Sequence, residues 1–168
     1  SWKNLSFSSE IIELSLQTEI NLVNFDQKKI VPSLFFGLSV FQFNPKASIT
    51  DSLNGYYRPY DVQPLNTEQL DEPYKRTQLS IPFGVGVKKI VLKKWVVGLE
   101  IGVRKTFTDY LDDVSGFYAI YDNFEDPIAA YFSDPSRVVT NDNNEEIYNY
   151  QKQELRGNPN NKDWYIFM

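Results

Sequence analysis

Three carboxylates near the end of a predicted strand are the residues of this sequence whose spacing could support chemistry. Asp109, Asp112 and Asp113 lie in "TDYLDDVSG", and paired carboxylates can exchange protons or bind Ca²⁺. The stretch lacks the spacing of an EF-hand loop, and aspartates in turns commonly accept hydrogen bonds from neighbouring backbone groups. We therefore expect a hydrogen-bonded loop exit here, with a calcium site as the alternative.

The composition excludes several other kinds of site. The chain has 168 residues with no Cys and no His, so thiolate nucleophiles, imidazole bases and zinc sites of the usual ligand types are excluded within it. We predict no catalytic, cofactor-binding or metal-binding residues. A net charge of -5 argues against a nucleic-acid partner, because no basic stripe could neutralise phosphates.

The elements that would position any site are long β-strands. Four segments alternate between apolar residues and polar or small residues with a period of two, which is typical of strands: 10–22, 33–44, 79–88 and 97–107. At roughly 10 to 13 residues they match the length that crosses a bilayer as a tilted strand. Short turns at 23–32 and 90–95 alternate with long connections at 45–76 and 108–163, and the pattern predicts no helix with confidence.

The polar face of the segment 79–107 is unusual because it consists of glycines and isolated charges, Glu100 and Arg104 among them. In a small closed barrel the inward face is crowded and takes small residues and paired charges, whereas the outward face meets lipid. The pattern therefore predicts an all-β fold, an antiparallel up-and-down transmembrane β-barrel of about eight strands with two long loops, as one domain over residues 1–168. A soluble sandwich or lipocalin-like barrel also alternates, but glycine weakens a solvent-facing strand unless space is scarce.

The barrel hypothesis predicts which side chains point into the lumen and which point towards lipid. We expect Arg104 to pair with an acid on a neighbouring strand. The predicted charges inside the lumen are Glu13, Glu19, Glu100 and Arg104, and the predicted lipid-facing positions are Leu14, Leu16, Leu99 and Ile101.

Several segments resemble a known family in the same order along the chain. The segments "NLSFSSEIIELSLQTE", "FFGLSVFQFNPKA", "DVQPLNTE", "RKTFTDYLDDVS" and "RGNPNNKDWY" are similar to the PorG-type outer-membrane β-barrels of the type IX secretion system. The family implies further strands on both sides, so we expect the barrel to be incomplete at both ends. The segment between Gly116 and Leu155 follows the family least, and the resemblance assigns it no role.

The resemblance implies a function without catalysis. It predicts an integral outer-membrane component of a Gram-negative bacterium that contacts a periplasmic ring, formed by a lipoprotein and its partner subunit, in secretion and gliding. The alternatives are a small porin-like transport barrel or a generic structural barrel. We expect outer-membrane lipid as a further partner, and possible contacts to the ring at Lys28, Lys29, Lys93, Lys94, Tyr56, Tyr57 and Tyr60.

Overall fold

Eight β-strands and one short α-helix make up the regular structure of the residues that the computed structural model describes. Those residues are 6–24, 30–50, 57–92, 94–120, 124–134, 138–140, 146–148 and 155–167. The elements are β1 (Ser6–Asn21), β2 (Val31–Thr50), β3 (Tyr57–Asp61), a 3₁₀ turn (Gln63–Leu65), β4 (Thr77–Val91), β5 (Trp95–Thr106), α1 (Pro127–Ser133), β6 (Val138–Thr140), β7 (Glu146–Tyr148) and β8 (Trp164–Phe167).

One sheet contains the long strands in the order β1-β2-β4-β5-β8. The first half of β2 pairs antiparallel with β4, and its second half pairs antiparallel with β3. β4 and β5 form a hairpin in which Gly84 lies opposite Gly102, and β8 adds to the far side of β5. The predicted all-β antiparallel class is confirmed. The described strands form an open sheet, and the closed barrel of about eight strands stays a prediction.

Two local features differ from the sequence prediction. The strands β1, β2 and β4 have 16, 20 and 15 residues, which is longer than the alternating segments, because pairing continues where the apolar alternation has ended. The segment 108–163 contains the helix α1, which the pattern did not predict. Asp126 caps α1 by accepting a hydrogen bond from the backbone N–H of Ile128, and a proline occupies its first turn, both of which favour a helix start.

The chain divides into two compact units. We call the first the loop unit, which comprises Ser1–Ile11, Phe43–Arg76 and Asp109–Asn161, and the second the strand unit, which comprises Ile12–Gln42, Thr77–Thr108 and Lys162–Met168. The loop unit has an ordinary apolar core, in which Ala47, Val62 and Phe132 are buried. The aromatic rings of Phe43, Tyr74 and Tyr110 stack in the same unit.

Candidate membrane-facing surface and polar inner face

The strand unit exposes its apolar side chains on one face of the sheet. Leu14 and Leu16 of β1 are 82% and 83% exposed, although burial of such side chains is the rule in water. The exposed residues recur at alternate positions of adjacent strands: Ile12, Leu14, Leu16, Leu34, Phe36, Leu38, Val40, Leu79, Phe83, Val85, Val87, Val97, Leu99, Ile101 and Ile166. A contiguous apolar face of this kind marks an interaction with lipid or with another protein.

A lysine and a tryptophan mark each end of this apolar face. At one end Lys89 lies opposite Val97, close to Trp95. At the other end Lys105 lies opposite Ile81 and Trp164, and its ammonium is 5.7 Å from the centre of the Trp164 ring. The nine residues from Ile81 to Lys89 span about 27 Å along the strand. This length is comparable with the apolar band of a membrane barrel, which aromatic residues flank on both sides.

The opposite, inner face of the strand unit is filled by Phe35. This side chain is 5% exposed and reaches from β2 across β4 to β5. A Cβ atom on Gly84 would lie 2.6 Å from the ring of Phe35, and a Cβ atom on Gly102 would lie 2.3 Å from it. The two glycines are therefore required because the ring occupies the space that any other side chain would need.

Glu13, Arg104 and Tyr165 form a network on this inner face. Arg104 donates to the Glu13 carboxylate from Nε at 3.3 Å and from Nη2 at 3.5 Å, and the Tyr165 hydroxyl donates to the same carboxylate at 2.6 Å. We expected the partner of Arg104 on a neighbouring strand, but Glu13 belongs to β1, three strands away in the sheet order. That expectation is wrong because the sheet curls enough for inner side chains to meet across intervening strands.

The other two predicted inner carboxylates differ from each other. Glu19 forms an ion pair with Lys88 of β4. Glu100 lies over Gly86, with its Cγ atom 3.0 Å from where a Cβ of that glycine would be, and it is exposed. Lys88 was not singled out from the sequence, although it shares the parity of Gly84 and Gly86, so strand alternation alone could have placed it on the inner face.

The loop unit contains a second buried network, centred on Arg156. The guanidinium donates to Thr67 Oγ1, to Glu68 Oε1 and to the backbone carbonyl oxygens of Asp113 and Phe132. These bonds join segments that are far apart along the chain. The stretch "RGNPNNKDWY" was used only as a segment of family resemblance, and this arginine was missed, since nothing in the local pattern signals its burial.

Two carboxylates complete the loop-unit network. Glu68 accepts hydrogen bonds from the backbone N–H groups of Ser115 and Gly116. Asp113 accepts from Thr67 and from the Tyr74 hydroxyl, each at 2.6 Å. Burial raises the pKa of the Asp113 carboxyl, against these hydrogen bonds and the charge of Arg156, which lower it. Burial together with the neighbouring Asp113 also raises the pKa of the Tyr74 hydroxyl.

Two members of the predicted aspartate cluster accept hydrogen bonds in the loop unit. Asp113 is used by the Arg156 network, and Asp112 accepts a hydrogen bond from the backbone N–H of Val114. Among the residues with described positions, no group of three carboxylates is arranged to hold a metal ion. The expected hydrogen-bonded loop exit is therefore what these two aspartates form.

The predicted partner contacts are only partly described. Lys28, Lys29, Lys93 and Tyr56 lie outside the described residues. Lys94 is exposed in the turn between β4 and β5, and Tyr57 is the first residue of β3. The ring of Tyr60 packs 5.5 Å from that of Phe132, so Tyr60 belongs to the core of the loop unit.

Comparison with known proteins gives one match. The model of a family described as a domain of unknown function, DUF6089, matches residues 1–126. Neither a curated protein nor a solved structure matches the chain. A membrane-spanning helix is not found in the part of the chain that the structure describes.

Proposed function

The chain belongs to the DUF6089 family, and we propose that it is an integral outer-membrane protein that anchors a periplasmic ring of the type IX secretion machinery without catalysing a reaction. The exposed apolar face of the strand unit carries the membrane part of this proposal. In water that face would be costly, at about 25 cal/mol for each Å² of apolar surface. In lipid the same face is favourable.

The secretion part of the proposal rests on the sequence resemblance to PorG-type barrels. The inner face is consistent with a structural role, because Glu13 is held by Arg104 and Tyr165, and Glu19 is held by Lys88. Charged groups that neutralise one another in this way stabilise the packing of strands, whereas a catalytic group needs access to a substrate.

Membrane insertion can be tested directly. The protein, refolded into detergent micelles, should migrate differently on a gel before and after boiling. It should also insert into lipid vesicles and stay in them during alkaline extraction. Recovery of the unboiled protein as a soluble monomer in detergent-free buffer would contradict the membrane assignment.

Anchoring of the ring can be tested by co-purification from solubilised outer membranes. The unaltered protein should recover the ring lipoprotein, and replacement of Lys28, Lys29, Lys93 and Lys94 by Glu should reduce that recovery if these turn lysines steer an acidic partner. Recovery that survives the four substitutions would place the contact elsewhere. If the unaltered protein inserts into membranes but recovers no ring subunit, the anchoring proposal is wrong.

A transport pore is the competing function, and Phe35 provides the test. Its ring and the Glu13–Arg104 pair occupy the inner face, so we expect no steady conductance from the unaltered protein in a planar bilayer. Phe35→Ala should raise the frequency of conducting events, and Phe36→Ala, which alters the outer face, should not. Stable conductance by the unaltered protein would favour the pore.

A further inference from the structure

A valley runs along β4 on the outer face of the strand unit. Two outer residues of β4 are the short side chains Val85 and Val87, which lie between Leu34 on β2 and Leu99 and Ile101 on β5. The valley is an open groove of about 300 Å³, and Leu22 contributes to its lining. Its walls are almost entirely apolar, which suits a hydrocarbon chain.

A cation lies at one end of the valley. Lys89 is the next outward-facing residue of β4 after Val87, and it is exposed. Among the described residues no carboxylate forms an ion pair with it. Trp95 stands opposite Val91 at the same end of the hairpin, where an aromatic ring suits the boundary between hydrocarbon and headgroups.

We infer that the β4 valley and Lys89 together form a binding site for one anionic phospholipid, with an acyl chain along Val85 and Val87 and the phosphate at the Lys89 ammonium. A free phosphate would use only Lys89, and an uncharged apolar molecule would use only the valley. A positive charge at the end of an apolar valley selects a molecule that has both an anionic headgroup and an acyl chain. The inference rests on the proposed membrane location of the strand unit.

Native mass spectrometry of the detergent-solubilised protein tests this site. The sample receives equal amounts of phosphatidylglycerol and phosphatidylcholine with the same acyl chains. We expect the phosphatidylglycerol adduct to exceed the phosphatidylcholine adduct about fivefold, as one lysine near an anionic headgroup would give. Excess inorganic phosphate should leave the phosphatidylglycerol adduct in place, because the acyl chain contributes to its retention.

Two variants, each with a control variant, identify the location. Lys89→Gln should bring the ratio of the two adducts close to one, whereas Lys75→Gln, which removes an exposed lysine outside the sheet, should preserve it. Val87→Phe should fill the valley and reduce both adducts, whereas Val40→Phe, on the outer face of β2, should not. Each variant is first checked for heat-modifiable migration, so that a loss of folding is seen separately.

Equal adducts of the two lipids on an inserted, unaltered protein would overturn the phospholipid site and leave the membrane assignment standing. An equal loss of preference in Lys89→Gln and Lys75→Gln would overturn it as well. Failure of the unaltered protein to enter micelles or vesicles would overturn both the membrane assignment and the site.

Discussion

The strand unit and the loop unit differ most in the apolar side chains that they expose. The loop unit buries apolar side chains such as Val62 and Phe132, as a domain in water does. The strand unit exposes leucines and buries Ser33, Ser39, Ser80 and Arg104. Because burial follows the surrounding solvent, the difference supports the proposed location of the strand unit in lipid.

The two units nevertheless share one feature, a buried arginine that forms an ion pair with a buried carboxylate. Arg104 and Glu13 are each 8% exposed at the side chain, and Arg156 and Glu68 are 7% and 4% exposed. Buried charges are tolerated only when they are paired and hydrogen-bonded. In both units the arginine and its carboxylate come from chain segments that are distant in sequence, so the pair joins those segments.

The largest expected effect follows from removing one of these arginines. Arg104→Met leaves the Glu13 carboxylate buried without its cation and should lower the free energy of unfolding by roughly 3 to 5 kcal/mol. Lys94→Met, at an exposed turn, should change it by less than about 0.5 kcal/mol. Denaturant unfolding of the refolded protein in detergent measures both, and equal effects would contradict a packed inner face.

Replacing an exposed apolar residue by arginine tests the contrast between the two solvents. Leu99 and Phe117 are similarly exposed, at 63% and 53%, but belong to different units. Leu99→Arg should cost roughly 2 to 4 kcal/mol in lipid vesicles, whereas Phe117→Arg should be nearly neutral. Similar small costs at both positions would show that the strand unit does not face hydrocarbon.

Neutralising Glu68 should have an intermediate effect that is confined to the loop unit. Glu68→Gln weakens the charge-assisted bonds from Ser115 and Gly116 and from Arg156, at a cost of about 1.5 to 3 kcal/mol. Hydrogen exchange should show faster exchange of the Ser115 and Gly116 amides, with the β4–β5 amides unchanged. Glu72→Gln, on an exposed side chain, is the control, and unaltered amide protection in Glu68→Gln would contradict this role of the carboxylate.

The smallest expected effect is a pH dependence of the loop unit. Since burial raises the pKa of Tyr74 in the folded protein, its contribution to stability is fully present below about pH 10, the pKa of an unfolded tyrosine. That contribution is lost as the pH rises further, because only the unfolded chain then releases the proton readily. Tyr74→Phe should flatten this alkaline limb of the stability curve, and Tyr131→Phe should retain it; an unchanged limb in Tyr74→Phe would assign it to another group.

The strands were predictable because their pattern is local. The alternation in 10–22, 33–44, 79–88 and 97–107 placed the strand cores of β1, β2, β4 and β5, and the glycines on the polar face of 79–107 indicated a crowded face. The helix α1 was missed because seven residues give too few turns for a 3.6-residue period to appear. The role of Asp113 was predicted only as a loop exit, because its partners Thr67 and Tyr74 are about forty residues away in the chain.

The sequence by itself determined the strand class, the parity of each strand residue and the separation of an apolar face from a face of glycines and charges, because a strand has a period of two wherever it lies. The tertiary structure decided which of those residues meet. The curl of the sheet brings Glu13 to Arg104 and Tyr165 and brings Phe35 to Gly102, and the folding of distant loop segments buries Arg156 against Glu68 and Asp113. The physical reason is that alternation depends on one residue and its neighbours, whereas the compensation of a buried charge depends on groups that the chain brings together only when it folds.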